Sequence, residues 1–113
     1  MRVIVGGRRT GKTMAMIQLS HFTGMPILTP SCITADYITR SAREMGLKIP
    51  KPIPFADAMK QRHRMDGQHR VLIDDLEACL IYMGISPECV TANEIEVFTQ
   101  EVNDNADASK DAE

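Results

Sequence analysis

The pattern of apolar and polar positions changes period several times along the chain. Within residues 1–5, MRVIV, the run Val3-Ile4-Val5 is apolar and β-branched and stops at two glycines, which predicts a short buried strand. Lys12 to about Phe22 has a helical pattern. Ala15, Leu19 and Phe22 share one face with Met16 beside them, and Gly24 and Pro26 end the element. Pro26 to Thr29 is a second short apolar strand. Thr34 to Met45 is a second helix, with Ala35, Ile38, Ala42 and Met45 on one stripe and Gly46 as its stop. Three prolines within "PKPIP" forbid a helix there; Ile53 and Phe55 predict a brief strand and Ala56 to Gln61 a turn or two of helix.

"KQRHRMDGQHR" is basic, lacks apolar periodicity and reads as a surface loop. "VLIDD" is a third apolar strand, ending in two aspartates. Leu76 to Met83 is apolar on all sides, which predicts a buried helix. Gly84, Ser86 and Pro87 make a turn, and Cys89 to Thr91 a last short strand. Asn93 with Glu96 reads as an N-cap pair, followed by a helical stripe of Ile95, Phe98 and Val102. Strands alternating with helices predict an α/β fold with a parallel sheet. Residues 1–102 form one domain. Residues 103–113 have nothing larger than alanine to pack and are expected to be a disordered acidic tail.

Composition changes this picture little. The chain has 113 residues, 43% hydrophobic and 25% charged, as expected of one soluble globular domain. There is no Trp, and eight Met help to fill the core. No apolar run approaches the roughly 20 residues of a membrane span. The three cysteines lack CxxC spacing and the start of the chain is not a signal peptide, so reduced thiols in the cytoplasm are expected. The net charge of −2 conceals an asymmetry. Seven acidic residues face Lys110 alone across residues 94–113, which leaves the body of the chain mildly basic.

The candidate chemistry lies in two places. Gly6-Gly7-Arg8-Arg9-Thr10-Gly11-Lys12-Thr13 matches G-x-x-x-x-G-K-[ST] in full, between a predicted strand and a predicted helix. Chance alone would produce it in about one chain in a few hundred of this length. Gly6 and Gly11 permit backbone conformations that a Cβ blocks, so successive N–H groups converge on a phosphate. The helix N-terminus, extending through Met14, adds its partial positive charge. Lys12 then reaches the β- and γ-phosphates, and the Thr13 hydroxyl ligates Mg²⁺. The second place is Val71-Leu72-Ile73-Asp74, about 60 residues later, where a buried strand delivers a carboxylate, Asp74, to the same Mg²⁺.

With these two motifs the chain resembles the P-loop NTPases over roughly residues 1–93. It looks most like the additional-strand class of ATPases, which includes helicase motors and phage terminase motors, and like small P-loop proteins of phages and prophages. "PILTPSCITADYITRSAREMG" resembles helicase motif Ia, and "VLIDD" motif II. The resemblance implies a minimal three-layer parallel sheet, with the Cys89–Thr91 strand between the first strand and the Val71–Asp74 strand. It implies binding of ATP or another NTP with Mg²⁺, slow hydrolysis, and a partner such as nucleic acid, other subunits or a second protein.

In that frame Lys12 and Asp75 are the candidate catalytic residues. Asp75 stands where the class carries a water-orienting glutamate, one methylene shorter, with Glu77 as a fallback. Thr91 and Asn93 are the sensor candidates. Thr29, Ser31, Arg62 and Arg64 are candidate nucleic-acid contacts, Ser31 serving equally well as a helix cap. Arg62, Arg64 and Arg70 are candidates for an arginine finger if the protein assembles into a ring. Asp75 in place of glutamate keeps open a module gated by nucleotide without hydrolysis. A small-molecule kinase is disfavoured, because no arginine-rich lid follows the second motif.

Overall fold

The computed structural model describes residues 1–6, 11–61, 70–93 and 95–99. Of the predicted basic loop at 60–70, residues 62–69 lie outside the described residues, as does the acidic tail. The elements run β1 (Arg2–Val5), α1 (Lys12–Thr23), β2 (Ile27–Thr29), α2 (Cys32–Glu44), β3 (Ile53–Pro54), α3 (Phe55–Lys60), β4 (Leu72–Ile73), α4 (Leu76–Tyr82) and β5 (Glu96–Thr99). The class is α/β, and every strand pairing among the described residues is parallel.

The strands form two ladders. One has the order β3-β2-β4, with Leu28 opposite both Ile53 and Ile73. The other pairs β1 with β5, Arg2 opposite Glu96 and Ile4 opposite Phe98. β2 is buried along its whole length, as a central parallel strand must be. The main core lies between β2 and the two longest helices. Ile17 of α1, Ile27 of β2, and Ile38 and Ala42 of α2 are buried together, with Met16, Met45, Leu47, Ile49 and Leu72 packed around them.

The helix ends follow from local chemistry. Ser31 caps α2 by accepting a hydrogen bond from the Thr34 N–H. Gly46 ends it at φ +73, with the Leu47 N–H bonded to the Ala42 carbonyl and the Gly46 N–H to that of Arg43. This is a Schellman arrangement, closed by Leu47 folding onto the core. The same pair of bonds, Ile85 to Leu80 and Gly84 to Ile81, ends α4.

Four sequence expectations need correction. The apolar face of α1 is rotated: Ile17 and Ser20 are buried, whereas Phe22 is 84% exposed. Apolar and polar residues are spread round this helix without a clear stripe, so periodicity alone could not choose a face. Ser20 tolerates burial because its hydroxyl donates to the Met25 carbonyl at 2.7 Å. The helix α4 is not buried. Only Cys79 is, while Leu76, Ile81 and Tyr82 stay at least half exposed. Residues 89–91 form no strand, and β1 and β4 belong to different sheets, so the expected order with a strand between them is not found among the described residues. Finally, Glu96–Thr99 is a strand where a helix was expected. Its Val, Phe and Thr suit a strand, and it satisfies an edge of β1 while setting Glu96 beside Arg2.

Ile38 is fully buried at the centre of the core. Ile38→Val removes one methylene there and should lower stability by about 1 kcal/mol. Urea unfolding with an unchanged m-value would register it.

Candidate functional site

The carboxyl ends of β2 and β4 lie side by side, because the Asp74 N–H donates to the Leu28 carbonyl at 2.9 Å. Into this edge comes the amino end of α1. Gly11 caps that helix at φ +83, a left-handed conformation in which glycine is the residue least penalised. Its carbonyl accepts from the Ala15 N–H, so α1 begins directly after the turn. Lys12, the first helical residue, donates from Nζ to the carbonyl of Gly6. Its side chain therefore folds back to the carboxyl end of β1. Gly7, Arg8, Arg9 and Thr10 lie outside the described residues. Met14, also expected near the loop, is half exposed on α1.

Thr13 meets Asp74 across this edge. Its Oγ1 donates to Asp74 Oδ2 at 3.5 Å, a long hydrogen bond between residues 61 apart in sequence. Asp74 is only 9% exposed. Burial raises its pKa above the ordinary carboxylate value, and the neighbouring charge of Asp75 adds to this. The Thr13 hydrogen bond and the charge of Lys12 act in the opposite sense. The buried Asp74 carboxylate with the Thr13 hydroxyl opposite is a pair of hard oxygen donors. Mg²⁺ holds such oxygens at about 2.1 Å in near-octahedral geometry, so two adjacent ligands stand about 3 Å apart. The Thr13–Asp74 separation is close to that. Among the described residues no cluster of three or more His, Cys, Asp or Glu could hold a metal by itself. A nucleotide-bound Mg²⁺ does not require one, since phosphates and water supply most of its ligands.

Asp75 is engaged differently. It is the N-cap of α4, with φ 61 and ψ 71, and is alone among the described non-glycine residues in having a positive φ. Its Oδ1 accepts from the Ala78 N–H at 3.1 Å. Glu77 sits exposed in the first turn behind it.

One neighbour of this site was not anticipated from sequence. Cys79 is fully buried, and its Sγ contacts the Asp74 carbonyl at 3.6 Å. Burial, then the charges of Asp75 and Asp74, pushes its thiol up to about 11, so it stays protonated and able to donate. Its signal was its place one helical turn after Asp75. Cys32 and Cys89 are exposed free thiols.

Among the described residues, the remaining candidates are not brought to this edge as side chains. Thr29 ends β2 beside Asp74, but it is fully buried and its hydroxyl donates to the Ser31 carbonyl. Ser31 is spent on its cap. Thr91 and Asn93 are exposed in the connection to β5, and neither hydrogen-bonds to Thr13 or Asp74. Arg70 is exposed just before β4. Arg62 and Arg64 lie outside the described residues. None of the described helices is long and apolar enough to cross a membrane.

A search of protein-family models matches none, and searches of curated proteins and of solved structures return no significant match.

Proposed function

We propose that this chain binds a nucleoside triphosphate, ATP first among the candidates, together with Mg²⁺, and that it is a minimal three-layer P-loop domain. The meeting of Thr13 and Asp74 carries this reading. Sixty-one residues of chain separate two oxygen donors that the reading needs together, and they are found together. Gly6, Gly11 and Lys12 surround the space where phosphate would lie, at the amino end of a twelve-residue helix. Thr13 and Asp74 would hold the metal; Mg²⁺, when bound, neutralises phosphate charge. Lys12 would leave the Gly6 carbonyl for the phosphates. The natural setting of such a domain is the cytoplasm, a bacterial host's if a phage encodes it, with nucleic acid, a partner protein or further copies to use the nucleotide.

Slow hydrolysis fits this site, with Asp75 as the group to orient water. A second reading is favoured by the cap that Asp75 makes: one of its carboxylate oxygens, Oδ1, is already engaged, which suits a module gated by nucleotide without turnover.

Calorimetry with ATP and Mg²⁺, followed by steady-state phosphate release with and without single-stranded DNA, tests both. Saturable binding with slow release supports the hydrolase. Binding with no release at any protein concentration selects the gated module. No binding of any Mg²⁺·NTP overturns the proposal.

A further inference from the structure

Asp74 is clamped through its backbone. Its N–H is fixed to β2 by the Leu28 carbonyl, and its carbonyl is contacted by the thiol of Cys79. Between those two anchors the chain must turn from strand to helix within one residue, and that residue is Asp75. It makes the turn in the left-handed region, where a non-glycine residue costs on the order of 1 kcal/mol. The bond from the Ala78 N–H to Asp75 Oδ1 and the bond from the Cys79 N–H to the Asp75 carbonyl then start α4. The second of these bonds holds Cys79 where its thiol meets Asp74.

The helix α4 has little else to hold it. It has seven residues, buries only Cys79, and leaves Leu76, Ile81 and Tyr82 largely exposed. Isolated helices of this length do not persist in water. Its first turn therefore depends on the cap, and the backbone of Asp74 depends on the first turn.

We infer that Asp75 is a positioning residue: by capping α4 from a left-handed turn, it fixes Asp74 toward Thr13 and so sets the Mg²⁺ dependence of nucleotide binding. This rests on the function proposed above. It assigns to the Asp75 side chain a hydrogen-bonding task rather than a charge. Asparagine can do the same, since its side-chain oxygen also caps helices and its backbone also accepts the left-handed region. Glycine accepts that backbone, and in place of a capping residue it costs only a few tenths of a kcal/mol. It supplies no side-chain acceptor.

The test compares the parent with Asp75→Asn and Asp75→Gly. For each, the affinity for ATP is measured with Mg²⁺ and with EDTA, and the melting temperature is measured alongside. The ratio of the two affinities is the readout. Asp75→Asn should keep the parent's ratio within about threefold. Asp75→Gly should melt close to the parent and yet lose at least about tenfold of the ratio, the usual cost of removing a group that orients a metal ligand. A ratio in Asp75→Gly equal to the parent's overturns the inference, because the cap is then not needed. Loss of the ratio in Asp75→Asn also overturns it, because charge is then what matters. A parent that binds no nucleotide under either condition is a different result, and sinks the nucleotide reading itself.

Discussion

Replacing Lys12 by alanine should weaken ATP binding by about a hundredfold while the protein stays folded. Lys12 is the cation placed at the start of α1, reaching over the span that begins at Gly6. A charge-assisted contact of this kind is worth roughly 1.5–3 kcal/mol, and two phosphates share this one. The bond to the Gly6 carbonyl, one of the contacts that the substitution deletes, is exposed and so contributes little to stability. Alanine is also a better helix former than the lysine it replaces. Titration calorimetry measures the loss, and a circular dichroism melt checks the fold. Equal affinity in the two proteins would show that the glycine turn is not a phosphate site.

Asp74→Asn should abolish the benefit of Mg²⁺ for nucleotide binding and, at neutral pH, raise the melting temperature of the nucleotide-free protein. The first effect follows from removing the charged metal ligand. The second follows from linkage. Burial, and then Asp75, holds the Asp74 pKa above its ordinary 3.8. A raised carboxyl contributes stability that is fully present below the unfolded value and is lost as pH rises through the folded one. At neutral pH the ionised group is therefore a burden that asparagine lifts, while the asparagine oxygen still accepts from Thr13. The gain should shrink to nothing as the pH falls below 3.8. A variant that is less stable at neutral pH would mean that the charge is compensated in the free protein. Scanning calorimetry over this range distinguishes the two.

The sequence carried the local signals well and the faces poorly. Gly11, Ser31 and Gly46 act through their own φ/ψ or their own side chains, so their roles could be read from neighbours in the chain. The stripe of Ala35, Ile38 and Ala42 could be read because the opposite side of α2 is charged. By contrast, α1 mixes apolar and polar residues on every side and α4 is apolar nearly all round, and which side they bury is decided by what they meet. The segment Ile95–Phe98 is too short for its period to separate helix from strand, and the open edge of β1 decided the matter. At the candidate site, Thr13 and Asp74 were legible as a pair because their spacing and flanking apolar runs say which strand end each occupies. That Asp75 would cap α4 was not legible, since the left-handed turn arises only once both the strand and the helix are in place.

The pairing of β1 with β5 has a consequence for the order in which the protein assembles. Arg2 and Glu96 stand opposite each other, more than ninety residues apart in the chain. Closing so long a loop is among the slowest events in folding. On the ribosome, the strand leading into the glycine turn is made before this neighbour and cannot find it until residues 96–99 have left the exit tunnel. The segment that would hold phosphate is thus synthesised well before the strand that anchors it. A nascent chain stopped short of Glu96 would carry the glycine-lysine motif without the strand that steadies it.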